Sequence, residues 1–167
     1  MGRGTKLDDV DRRIVAMLEE DARKPTSHIA RAVGLSAASV ADRIARLCDI
    51  GVISKFAAKI DAESLGFEIA ACVKFQPNST SDAKGVRFAA SHPSVRSCYK
   101  VLGDALLILI VRTRTAAELD SFLVELNEHG QTETWLILNS ELEDRPWFAR
   151  DDRDPVQLLR RKAAPTD

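Results

Sequence analysis

Six residues between positions 36 and 46, namely Ser36, Ala38, Ser39, Asp42, Arg43 and Arg46, combine small side chains with two guanidiniums. A guanidinium can pair bidentately with guanine or clamp a phosphate. Small neighbours let the backbone come close to base edges. Ser39, Arg43 and Arg46 fall at i, i+4 and i+7, so on a helix they share one stripe, while Val40, Ile44 and Leu47 share another. Such a helix buries its aliphatic stripe and leaves the small residues and the arginines free for a duplex. Asp42 would repel phosphate, so it is expected to pair locally or to face sideways. A three-helix packing unit with a solvated arginine face has the same spacing, and spacing alone does not separate the two readings.

The elements that must hold this helix lie just before it. In "LDDVDRRIVAMLEED" Val10, Ile14, Met17 and Leu18 recur at helical spacing. Asp8, Asp9 and Asp11 crowd the start, where the helix dipole favours negative charge. Pro25 suits the first turn of a second helix, where a missing N–H loses nothing, and Ile29, Ala30 and Val33 give that helix one apolar face. Gly34 is expected to end it in the left-handed conformation, Leu35 to plug the turn, and Ser36 to cap the third helix by accepting a backbone N–H. This is a helix-turn-helix plan, whose second helix can enter a major groove. Gly51 stops the third helix. Val52, Ile53, Phe56, Ala58 and Ile60 then read as extended chain, with a small hairpin as one arrangement; Lys55 and Lys59 suit either a DNA backbone or a solvated linker face.

The remainder reads as α+β. "EIAACVKFQ" is a strand, "STSDAKGVRFAASH" a helix with Val86, Ala89 and Ala90 on one side, and "SVRSCYKVL" a strand. Gly103-Asp104 makes a turn into the apolar strand "ALLILIVRT". "TAAELDSFLVELNEHG" is a helix with Leu119, Phe122, Leu123 and Leu126, and "QTETWLILNSEL" is the last strand. The order βαββαβ is the split βαβ, or ferredoxin-like, plan. Leu106 to Val111 are apolar at every position, so both faces of that strand call for cover, and Trp135 to Leu138 repeat the demand. Two helices cover one face. A second copy packed sheet against sheet in a two-fold dimer is the simplest cover for the other; a closed barrel or the C-terminal tail would be alternatives. The expected organisation is a helix-turn-helix DNA-binding domain over 1–54, an extended linker over 55–66, a ferredoxin-like domain over 67–142 and a charged tail over 143–167. In that tail Trp147 and Phe148 are expected to dock on the body or on a neighbouring subunit, the last dozen residues to be mobile, and "LLRRK" to be a frayed end or a stray basic contact.

With 45% hydrophobic and 29% charged residues, the 167-residue chain can pack a core and is not globally disordered. The net charge of -1 hides an asymmetry: residues 1–60 carry 11 Lys and Arg against 8 Asp and Glu, and the rest carries 13 against 17. Cys48, Cys72 and Cys98 lack CxxC spacing, which speaks against a disulfide framework or zinc knuckle and suits small core positions in a reducing cytoplasm. No apolar run has membrane-spanning length. His28, His92 and His129 stand far apart in different elements, with no metal spacing, no GxSxG and no phosphate loop. No catalytic or metal-binding residues are expected. Surface or capping roles are expected for His28 and His92.

Taken in order, "LDDVDRRIVAMLEEDAR", "IARAVGLSAASVADRIARL", "GVISKFAAKID", "LGF" and "HPSVRSCYKVLGD", with the apolar strand that follows, resemble the Lrp/AsnC family of feast/famine transcriptional regulators over about residues 7 to 142. The resemblance implies promoter binding as dimers or larger assemblies, tetramers or often octamers. It also implies a rear domain that senses a small molecule, commonly an amino acid, between dimers near the loop after the second strand. Carried onto this chain, that loop is Val101, Leu102, Gly103 and Asp104, with Tyr99 just before it, and Thr132 and Thr134 on the last strand are candidates from across the interface. The family loop often reads Gly-Asp-x-Asp, whereas Leu106 stands here at the second acidic position. Asp104 is left to accept an ammonium group or to serve as a turn residue. Sirohaem-type decarboxylases of the haem pathway resemble the same two-domain plan, with a degenerate helix-turn-helix. The apolar rear strands offer few polar or basic groups for a tetrapyrrole, and the intact "GLSAASVADRIARL" favours DNA. The expectation is a cytoplasmic, sequence-specific DNA-binding regulator rather than an enzyme, with double-stranded DNA and its own copies as partners. No cofactor is expected beyond a possible amino-acid effector. Two third helices of a dimer would read half-sites about one helical turn apart.

Overall fold

The computed structural model describes residues 7–78, 83–103, 107–140, 142 and 145–148. The chain divides into two compact units at residue 60, and the described part of the tail belongs with the front one.

The front unit holds α1 (Asp9–Glu20), α2 (Thr26–Val33) and α3 (Ala37–Asp49). Its buried core is Ile14, Ile29, Ala30, Val40 and Leu47, with Leu7, Val10, Met17, Leu18, Val33 and Ile44 packed around it. Apart from Leu7, which precedes α1, these are the positions that helical periodicity assigns to the inward stripes. Asp8 and Asp11 form a reciprocal capping box at the start of α1. Pro25 sits at the cap of α2 rather than inside its first turn. Gly34 ends α2 at φ 72, where a side chain would be strained, and the Leu35 amide closes onto the Ala30 carbonyl at 3.0 Å. Ser36 caps α3: its Oγ accepts the Ser39 amide at 3.1 Å. After α3 the Val52 and Ile53 amides both donate to the Leu47 carbonyl. From Ser54 to Ile60 the chain forms no strand, so the hairpin does not occur. "FAAKI" lacks the Asn-Gly or Asp-Gly pair that turns one tightly. In the tail, the Trp147 and Phe148 amides donate to the Glu19 carboxylate at 3.1 and 3.4 Å, while the indole stays exposed. "LLRRK" lies outside the described residues.

The rear unit contains a short 3-10 turn (Glu63–Leu65), then β1 (Ile69–Pro77), α4 (Ala83–Ser91), β2 (Val95–Lys100), β3 (Leu107–Thr113), α5 (Ala116–Asn127) and β4 (Gly130–Leu136). The strands form one antiparallel sheet in the order β2-β3-β1-β4, so the βαββαβ expectation is met. Alternation decides the two faces. Ala71, Val73 and Phe75 of β1 and Leu107, Leu109 and Val111 of β3 pack with Ala89 of α4 and Leu119, Phe122 and Leu126 of α5. The opposite face carries Cys72 aligned with Ile110 and Trp135, and Lys74 aligned with Ile108 and Glu133, with Tyr99 beside Ile108. Among the described residues, no helix of this unit covers that second face. Ala90 is exposed and Phe88 takes the inward place expected of it, half-buried against the core. Gly130 is forced by closeness: a Cβ there would meet the Gln76 carbonyl oxygen at 2.3 Å.

Candidate functional site

The arginine stripe of α3 stands where its spacing puts it, but it is not free. The Arg43 Nη1 donates to Asp8 Oδ2 at 2.7 Å and to Asp11 Oδ1 at 2.8 Å. The Arg46 Nη2 donates to the other Asp11 oxygen, Oδ2, at 2.5 Å. The Asp11 side chain is 1% exposed, against 31% for Arg43 and 46% for Arg46. One buried carboxylate is therefore shared by two half-exposed guanidiniums and ties the middle of α3 to the start of α1. Burial pushes the Asp11 carboxyl up, and the hydrogen bonds from Arg46 and Arg43 more than offset it, leaving it below the usual carboxylate range. Asp8 is also held low, first by the Asp11 amide and then by Arg43. The Arg43 guanidinium is held above its ordinary value by Asp8 and Asp11. The α1 acids, read from the sequence as dipole partners of their own helix, are thus also the counter-ions of another. One signal was available: Asp11 lies three residues before Ile14, on the buried stripe, where an unpaired acid would be costly.

What α3 leaves open is its small-residue face. Ala37, Ala38, Ser39, Ala41, Asp42 and Ala45 are all exposed. The Ser36 and Ser39 hydroxyls bond each other at 2.8 Å as part of the cap. Asp42 shares a shallow concavity with Asp8, Asp11, Arg43 and Arg46 and is exposed, with no partner of its own among the described residues, so of the two expected arrangements local pairing does not form. Arg31, not singled out from sequence, is exposed in the last turn of α2 and also has no partner among the described residues.

The residues carried over for an effector separate into two groups. Tyr99 lies on β2 on the helix-free face, exposed, and is followed by half-buried Val101 and by exposed Leu102 and Gly103. Asp104 lies outside the described residues. Thr132 and Thr134 align with Phe75 and Val73, which puts them on the helix-covered face of β4. The Thr132 hydroxyl is taken by Asn127 Oδ1 at 2.9 Å. Since β2 and β4 are opposite edges of the sheet, one chain cannot bring the two groups together.

The histidines divide as well. His28 is exposed, but His92 and His129 border an aromatic cluster, with His92 centred 4.5 Å from Phe122 and His129 5.1 Å from Phe88. The His92 Nδ1 accepts the Ser94 amide at 3.2 Å. The thiols of Cys48, Cys72 and Cys98 are unbridged and half-buried rather than deep in the core, and burial pushes Cys98 up.

Residues 7–47 match the AsnC-type helix-turn-helix domain and residues 71–147 the Lrp/AsnC ligand binding domain. The transcriptional regulator LrpA of Mycobacterium tuberculosis is 33% identical over 142 residues, which cover 83% of this chain and 95% of that one. The regulator FL11 of Pyrococcus furiosus is 31% identical over 117 residues, covering 70% and 78%. A solved feast or famine regulatory protein of M. tuberculosis complexed with L-methionine has a TM-score of 0.78 at 32% identity, covering 84% of this chain and 97% of that one. A capped helix-turn-helix unit followed by a βαββαβ sheet defines a two-module transcriptional regulator, one module for DNA and one for a ligand. The chain belongs to the Lrp/AsnC family of such regulators.

Proposed function

We propose that the chain binds promoter DNA in the cytoplasm through α3 and changes its assembly or affinity when an amino acid binds between dimers. The observation that carries the DNA half is the exposed N-terminal face of α3, where Ser36, Ala38 and Ser39 stand on a capped helix. Small side chains there permit close approach to base edges in a major groove.

The effector half rests on the separation of the candidate residues. Tyr99, Val101, Leu102 and Gly103, with Asp104 next in sequence, belong to one sheet edge, and Thr132 and Thr134 to the other. A pocket made of both requires at least two copies. Self-association is supported by the helix-free face of the sheet, where Ile108, Ile110, Cys72 and Trp135 lie in adjoining rows. Coupling to DNA then requires only that the ligand bind one assembly better than another.

Genome-wide mapping of bound DNA, with and without a panel of amino acids, tests the whole reading. Discrete promoter sites whose occupancy changes with one amino acid are expected; uniform recovery of DNA would refute it. Sedimentation of Trp135→Asp tests the sheet face, with a folded chain of lower mass expected. A visible absorption band on adding a tetrapyrrole, with no DNA retardation, would replace the regulator by the decarboxylase.

A further inference from the structure

We propose that Arg43 and Arg46 are positioning residues, that Asp8 and Asp11 withhold both guanidiniums from phosphate and that Asp42 adds an unpaired negative charge beside them, so that the reading head has little non-specific electrostatic affinity for duplex DNA. This rests on the DNA-binding reading and deepens it by locating where its specificity comes from.

The geometry is that of a latch. Arg43 bridges Asp8 and Asp11 through one nitrogen, and Arg46 occupies the remaining Asp11 oxygen. Asp11 is buried and already committed to the capping box, its amide donating to Asp8 Oδ1 at 2.7 Å. It cannot follow an arginine outward to a ligand. An arginine that leaves for a phosphate abandons a buried carboxylate, and a buried charge stripped of its partner is strongly unfavourable. The phosphate would return a contact made in solvent and screened by salt.

Charge balance points the same way. Three carboxylates and two guanidiniums line the concavity beside α3, leaving one negative charge in excess. An approaching duplex finds no positive field there. Non-specific affinity follows the number of phosphates that a protein neutralises, whereas base-edge contacts and DNA shape add the specific part. Removing two cations from the pool therefore lowers non-specific binding more than specific binding, and the ratio between them rises.

The test uses the full chain, a random-sequence duplex and a promoter fragment selected by the chain itself, titrated by fluorescence anisotropy over a salt series. Asp8→Asn keeps a residue that caps a helix as well as Asp does, and Asp42→Asn removes a charge from an exposed position. The Asp8→Asn/Asp42→Asn variant leaves Arg46 on Asp11, frees Arg43 from Asp8 and turns the local charge from one negative to one positive, so it is expected to bind the random duplex about 10-fold tighter at low salt, with its log–log salt slope steeper by about 1, while its specificity ratio falls. Arg43→Ala is expected to weaken binding to the selected fragment through the position of α3 without changing the salt slope. Unchanged affinity and slope in the double variant would overturn the inference. So would a folded Arg43→Ala chain whose slope flattens by about 1, since that marks a direct phosphate contact. Failure of the wild-type chain to bind any duplex removes the DNA-binding reading and this inference together; wild-type binding with an unaltered double variant removes this inference alone.

Discussion

The two units hold their shape by different means. The rear unit is a two-layer stack: alternate residues of β1 and β3 meet Ala89, Leu119, Phe122 and Leu126, and its charged side chains stay outside that core. Among the described residues the front unit has the smaller buried core, Ile14, Ile29, Ala30, Val40 and Leu47, and it adds a buried acid with two arginines to fix α1 against α3. A small unit with little apolar surface to bury gains most from such a fastener. The consequence is functional. The rear unit is held by core packing that, among its described residues, involves no ion pair, whereas in the front unit the two most conspicuous cations of α3 are already used by the fold.

Replacing Phe122 by Ala should have the largest effect. It empties a fully buried site and should cost about 3–5 kcal/mol in urea unfolding, with little dependence on salt and with the loss of hydrogen-exchange protection mapping to residues 60–140.

Asp11→Asn comes next, at about 2 kcal/mol, below the usual value for a broken buried pair because both guanidiniums are part-exposed and can rehydrate. Its cost should shrink in high salt, unlike that of Phe122→Ala. A salt-independent loss would mean that Asp11 acts through shape alone, and the contrast between the units would fail.

Acid titration sharpens the same point. Asp11 is depressed in the folded chain below the ordinary value of 3.8. The stability it supplies is complete above that value and is lost as pH falls through the depressed one. The front unit of the wild type should therefore weaken as pH drops below about 4, and the Asp11→Asn variant should lack most of that limb when followed by circular dichroism. Ser36→Ala is the mildest change, about 1 kcal/mol from loss of the α3 cap, visible as a small drop in the melting temperature.

The helices, their ends and the order of strands could be read directly from the residues. Gly34 and Ser36 announced the turn, and the alternation in "EIAACVKFQ" announced β1. These signals are local, acting within about four residues along the chain. The failures were of another kind. Apolar spacing after α3 suggests extended chain and leaves a small hairpin as one arrangement, but no turn residue is there to close it, and no strand forms from Ser54 to Ile60. Ala90 was placed inward on helical spacing that Phe88 satisfies instead. The expectation of a surface or capping role for His92 covers its bond from the Ser94 amide but not its tilted contact with Phe122, which depends on a helix some thirty positions away.

Periodicity and capping chemistry were enough to specify the three front helices with their turn and the βαββαβ order, because both arise between near neighbours in the chain. The fate of the arginines was a tertiary matter. Arg43 and Arg46 reach Asp8 and Asp11 across separations of 32 to 35 residues, and no pattern along a single helix reports a partner on another. Likewise, only the sheet order put Tyr99 and Thr132 on opposite edges, because strand neighbours are set by pairing in space and not by succession in sequence.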